Sequence, residues 1–146
     1  MHLARSTLAP AQRGFTLIEV MVVVVIIGLL AAIVAPNLIG NIDRAAVTRA
    51  RGDIRSIETA LNLYRLDNFR YPTSDQGLNA LVENPGETVA PNWKAYLNSL
   101  PSDPWNQPYQ YAYPGTRGEF DVFSYGADGQ EGGEDINADI GNWNLD

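Results

Sequence analysis

The sequence predicts an α+β chain in which a long N-terminal helix packs on a small antiparallel β-sheet. Three observations carry this. An uncharged apolar run extends from Val20 to Ile42, apolar residues recur at helical spacing from Val47 to Tyr64, and two aromatic-rich segments flank a Pro-Gly turn. A length of 146 residues allows one globular domain at most beside the apolar run.

The first fourteen residues hold Arg5 and Arg13 and no acid. The run from Val20 to Ile42 then reaches about 35 Å at ~1.5 Å per residue, enough to cross a hydrocarbon core of roughly 30 Å. Arginines ahead of the span place the N-terminus in the cytoplasm and the remainder beyond the membrane. A secretory signal peptide fits poorly, because its apolar core is about 7–15 residues and its cleavage site has a small-x-small pattern. A plain single-span anchor stays open.

Past the span, Val47, Ala50, Ile54, Ile57, Leu61 and Tyr64 fall on one helix face, while Asp43, Arg44, Arg49, Arg51, Asp53, Arg55 and Glu58 take mostly the others. The first half of the helix therefore suits lipid or a helix bundle, and the second half docks on a globular part. Pro36 removes a backbone donor and is expected to bend or locally open the helix. Gly28 and Gly40 weaken the same region. The helix should stop near Asp67-Asn68.

Thr73-Ser-Asp-Gln76 is a capping-box pattern that predicts a second helix from Ser74 to about Glu83, ended by Pro85-Gly86. Residues 87–108 read as an ordered loop anchored by Trp93, Tyr96, Leu97, Leu100 and Trp105. Tyr109–Tyr113 and Glu119–Tyr125 read as strands, and Gly126–Asp139 as a Gly-rich acidic loop. The organisation is then a leader at 1–14, a membrane and polymerisation helix at 15–42, and a globular domain at 43–146.

Composition excludes several functions. A net charge of −7 leaves no basic face for nucleic acid. Cysteine is absent, so neither a disulfide nor a thiolate metal site can form. The one histidine, His2, lies in the leader, so a processed chain lacks the commonest proton shuttles and nucleophile–base pairs. The chain is not expected to be an enzyme.

Glu19 is the anomaly of the span, a carboxylate near its mouth where charge is costly. One reading leaves it at headgroup depth. The other pairs it with a positive group, and cleavage after Gly14 would free the α-amino group of Phe15 nearby. Between identical helices, an ion pair of that kind specifies register more than it adds stability.

The acidic loop also has two readings. Asp128, Glu131, Glu134, Asp135 and Asp139 form an oxygen-only set suited to a hard cation such as Ca²⁺, though their spacing is not that of an EF-hand. The alternative is a solvated acidic turn. Small domains commonly need a disulfide or metal staple, and no disulfide is available here.

Arg13-Gly14-Phe15-Thr-Leu-Ile-Glu19, the apolar run and Pro36-Asn37-Leu38 together resemble the leader and helix of the type IV pilin-like family. Leu66-Asp-Asn-Phe-Arg-Tyr-Pro-Thr, Gln76-Gly-Leu, Leu100-Pro-Ser-Asp-Pro-Trp and Asp139-Ile-Gly-Asn-Trp143 are similar to the major pseudopilins of type II secretion systems within it. The resemblance covers essentially the whole chain.

It implies a pilin-like fold with a Ca-binding C-terminal loop, cleavage after Gly14 by a prepilin peptidase, and N-methylation of Phe15. It further implies that Glu19 guides each subunit into a helical homo-oligomeric filament. That filament would work with minor pseudopilins and an inner-membrane assembly platform to drive folded proteins across the outer membrane. The chain would cross the inner membrane once, with its C-terminal domain in the periplasm.

For the calcium ion, the resemblance implies side-chain oxygens from Asp128 and Asp139 and backbone carbonyls from Tyr125 and Gln130. Glu134, Asp135 and Asn137 remain candidates to complete the shell. Two rivals stand beside this reading. A type IV pilus major pilin shares the leader but usually closes its C-terminal region with a disulfide. A monomeric membrane-anchored calcium-binding module would form no filament.

Overall fold

Helix α1 spans Leu17–Asn68 in the computed structural model, which describes residues 14–146 apart from the side chains at 35–39. The arginine-bearing leader therefore lies outside the described residues, Gly14 excepted. So does the Pro36 side chain, and with it the bend or local opening expected there, while the helical assignment continues through residue 36.

The chain divides into two compact units, the first ending at Ile39 and the second running Gly40–Asp146. In the first, Thr16 stands just before the helix and its Oγ1 accepts from the backbone N–H of Glu19 at 3.3 Å, an N-cap. Leu17–Val34 has a mean hydropathy of 3.1 and no buried residue, and by length and composition it can cross a membrane.

In the second unit the predicted helix face is the core. Ala50, Ile54, Ile57, Leu61 and Tyr64 are each fully buried, joined by Ala60, and Val47 packs partly buried at the edge. The helix ends where Phe69 turns to φ +62°, its N–H bonding back to the Arg65 carbonyl at 2.7 Å. On the exposed side of the helix, Thr48 and Thr59 each donate their hydroxyl to the carbonyl four residues back, at 2.8 Å.

The capping box forms as read: Thr73 N–H donates to Gln76 Oε1 at 2.8 Å, and Gln76 N–H to Thr73 Oγ1 at 3.3 Å. The α-helix predicted after it does not. Gly77 at φ +59° breaks the turn, and only a single 3-10 turn, Leu78–Leu81, follows. It still delivers Leu78, Ala80 and Leu81 to the core.

Strands β1 (Gln110–Ala112), β2 (Asp121–Ser124) and β3 (Ile140–Gly141) form an antiparallel sheet in the order β1-β2-β3. The first two lie inside the predicted segments, with Tyr111 opposite Val122. The third returns from the acidic loop and pairs Gly141 with Phe123. Its ladder is sealed by Trp143, whose ring lies so close that a β-carbon on Gly141 would sit 2.5 Å from it.

Polar side chains fasten the loops to this core. Asp103, buried, accepts from the N–H groups of Trp105 and Gln107 and from the Ser124 hydroxyl. Tyr111 donates to the Pro72 carbonyl at 2.7 Å, Trp93 Nε1 to the Ala80 carbonyl at 2.7 Å, and Tyr109 to Asp53 at 3.0 Å. Burial pushes the Tyr109 and Tyr111 phenols up, and pushes Tyr96 up to about 12, so all three stay neutral donors at ordinary pH.

Asp121, the first residue of β2, is buried beside the β1–β2 turn. Burial alone would raise its pKa, but hydrogen bonds from Thr116, Arg117 and Gly118 outweigh that and hold it below the ordinary carboxylate value. Its contribution is thus present above pH ~4 and lost as the carboxylate protonates below that. Asp121→Asn should therefore lower the stability of the domain at pH 7 but lose less of it between pH 7 and pH 3 than the unaltered chain does, as read by urea unfolding at the two pH values. Ile57→Ala, which empties the centre of the helix face, should cost about 2–5 kcal/mol in urea unfolding.

Candidate functional site

Two places carry functional chemistry, and each belongs to one unit. In the first, Gly14, Phe15, Thr16 and Glu19 line one shallow concavity of about 430 Å³. Among the described residues, Phe15 is 84% exposed and nothing lies within 4 Å of where a Gly14 side chain would start. Thr16-Leu-Ile-Glu19 places the carboxylate at the third helical position of a capped N-terminus, where an anion also meets the positive end of the helix dipole. The capping role of Thr16 was readable from the T-x-x-E spacing and was not drawn from it. Phe15 and Glu19 thus lie one helical turn apart on a surface with no cover of its own.

The second place is the loop between β2 and β3. Gly126 opens it at φ +72°, and a β-carbon there would meet the Asn137 backbone at 2.8 Å, so only glycine lets the two ends of the loop approach. Ala127 N–H then bonds to the Ile136 carbonyl at 2.9 Å and closes the base. Glu134 precedes a 3-10 turn at Asp135–Asn137, and the Asn137 N–H returns to the Glu134 carbonyl at 3.0 Å.

The acids of this loop are not gathered into one cage. Asp128 is exposed and accepts from the Gln130 N–H at 3.1 Å. Asp135 lines a different groove, beside helix α1. Among the described residues no three acid or histidine side chains converge as a metal cluster. Asp139, Tyr125 and Glu131 instead share a pocket of about 150 Å³ with Asp121, Phe123, Arg117, Thr116 and Trp143.

Asp139 is the informative member. Its Oδ2 accepts from the Gly132 N–H at 3.0 Å, while its Oδ1 is buried with no hydrogen-bond partner. A buried carboxylate oxygen left unpaired is costly, and a cation beside it removes that cost. The residues present fit a hard cation in this respect, with backbone carbonyls needed for most of the shell. Glu131, one of the five acids of the oxygen-only set read from sequence but not among the ligands that the resemblance implied, shares the Asp139 pocket through the path of the loop.

Comparison with known proteins places these features. The family described as "Type II secretion system (T2SS), protein G" matches residues 37–143, and the prokaryotic N-terminal methylation motif matches residues 10–35. The chain belongs to the type II secretion system protein G family. The Type II secretion system core protein G of Pseudomonas aeruginosa is 58% identical over 135 residues, covering 90% of this chain and 95% of that protein. The protein of the same name from Vibrio cholerae is 56% identical over 136 residues, covering 92% and 93%.

A crystal structure of the major pseudopilin from the type 2 secretion system of enterohaemorrhagic Escherichia coli superposes with a TM-score of 0.63 at 44% identity. It covers 74% of this chain and 95% of that one. The long helix on a three-stranded antiparallel sheet is therefore a pilin-like fold, and the family is a structural one without enzymatic activity. The apolar helix and the methylation motif fit a protein anchored in the inner membrane. Gly126→Ala should lower the melting temperature of the domain by both its φ of +72° and its clash at the loop base, while Gly132→Ala, strained at φ +95° but with nothing within 4 Å of its β-carbon, should lower it less.

Proposed function

We propose that this chain is the major structural subunit of the type II secretion pseudopilus, polymerising through its N-terminal helix to help drive folded proteins across the outer membrane. The observation that carries this is the wholly exposed apolar helix Leu17–Val34, headed by Glu19, on a chain of the protein G family. The helix suits lipid before assembly and a bundle of like helices after it.

A prepilin peptidase removes residues 1–14 and methylates Phe15, and the new amino group of one subunit neutralises Glu19 of another during docking. The orientation follows Arg5 and Arg13, which hold the N-terminus in the cytoplasm and leave the globular unit in the periplasm. Minor pseudopilins and the inner-membrane assembly platform are the remaining partners. Pro36 gives the helix a position with one backbone donor fewer, suited to adjustment inside the bundle.

Calcium is the proposed staple of the β2–β3 loop. Asp139 through its unpaired Oδ1, Asp128, and the carbonyls of Tyr125 and Gln130 are the residues to hold it, with Glu134 or Asn137 completing the set and Asp135 turned to the other groove. When bound, the ion supplies charge neutralisation and a cross-link between the two ends of a loop rich in glycine. Asp139 orients toward it through the Gly132 N–H, and its backbone carbonyl is fixed by Asn144 Nδ2 at 3.0 Å.

Intact mass of the membrane-extracted chain should show loss of Met1–Gly14 and gain of one methyl group. Glu19→Ala should abolish filaments while leaving the melting temperature of the globular unit unchanged; filaments at normal abundance would refute the assembly role. Calcium at a hundredfold excess over its dissociation constant should stabilise the chain by about 2.7 kcal/mol. Asp139→Ala should remove that response, and a calcium-independent melt of the unaltered chain would refute the staple.

A further inference from the structure

Helix α1 ends in an apolar patch that the chain itself does not use. Leu63 is 44% exposed, Leu66 71% and Phe69 87%. Phe69 also adopts φ +62°, a conformation that a bulky side chain rarely takes and that glycine takes freely. The neighbouring backbone is held firmly: Asn92 Nδ2 bonds to the Asp67 carbonyl, Lys94 pairs with Asp67, and Arg70 bonds to the Val89 carbonyl. The turn caps the helix, but the phenyl ring displayed from it is 87% exposed and adds nothing to that cap which glycine would not supply.

The same unit carries a receptor of matching chemistry. A groove of about 710 Å³ lies between the start of its helix and the β2–β3 loop, with Val47 and Ile136 as its apolar walls, Arg44 and Arg51 beside them, and Asp43, Thr48 and Asp135 completing its polar rim. Neither arginine has a side-chain hydrogen bond or ion pair among the described residues, and the Nε of Arg51 is buried without an acceptor. An aromatic face is a natural neighbour for an unpaired guanidinium, and an apolar slot rewards the ring's burial.

We infer that Phe69, with Leu66, docks into the Val47–Arg51 groove of a second copy of this chain. The inference rests on the filament reading above and names one of its contacts. Patch and groove are different surfaces of one chain, so the contact is heterologous. They lie about 33 Å apart along α1 at ~1.5 Å per residue, so repeating the contact with the helices parallel carries a translation that cannot close into a ring. It propagates as a filament, which is why a second copy, rather than an unrelated protein, is the occupant.

The chain has no cysteine, so introduced thiols are unambiguous. The full-length double variant Phe69→Cys/Val47→Cys, treated in membranes with a short bismaleimide, should give a ladder of linked dimers, trimers and longer species. Each single variant should give none. Filaments seen by electron microscopy without a ladder would overturn this contact and leave the pseudopilus reading standing. A Phe69→Cys/Val24→Cys ladder in its place would overturn it as well, by placing the patch on the apolar span.

If the unaltered chain makes no filament, both readings fall together. Phe69→Gly supplies the second test, since it should hold or raise the melting temperature of the globular unit while lowering filament yield about tenfold. An undiminished yield would overturn the inference.

Discussion

Every large apolar side chain described from Val20 to Val34 is at least half exposed on the isolated chain, and none of that stretch is buried. Each such side chain gains about 1.5–3 kcal/mol when taken out of water, against a typical domain stability of 5–15 kcal/mol in all. No rearrangement of the small globular unit could cover such a surface. The uncovered helix therefore sets the terms for the rest: by length and composition it can cross a membrane, and the proposed filament would give it a second apolar surrounding.

The globular unit meets a different constraint, the absence of any cysteine. Its core is one helix face and a three-stranded sheet, too little to fasten its long irregular segments by burial alone. Phenol and indole donors take over that task, each reaching from the core to a backbone carbonyl or carboxylate, as Tyr111 does to Pro72, Trp93 to Ala80 and Tyr109 to Asp53. Ring packing adds to it, with Tyr71 set against both Phe120 and Tyr113. The β2–β3 loop is the segment such clamps reach least, and there the unpaired oxygen of Asp139 remains.

What could be read from sequence was what is local. The face Ala50–Tyr64 follows from helical period alone, and the Thr73–Gln76 box from spacing. What the box would start could not be read, because that depended on Gly77 adopting a positive φ rather than continuing the turn. Strand β3 went unpredicted for a related reason: a two-residue strand has no pattern of its own and exists through pairing with β2. The acidic loop shows the same limit at the site. Composition named its acids, but the path of the chain puts Glu131 beside Asp139 and sends Asp135 to the groove along α1.

Thr48 and Thr59 point to a property of the exposed side of the helix. Each hydroxyl spends its hydrogen on the turn below, at the Arg44 and Arg55 carbonyls, so the polarity is settled within the helix itself. Such a flank is wettable while a subunit waits alone, yet gives up no obligatory water bond when another surface dries it. Where valine would invite premature sticking and serine would leave a smaller contact, threonine makes one strip of protein tolerant of two solvents.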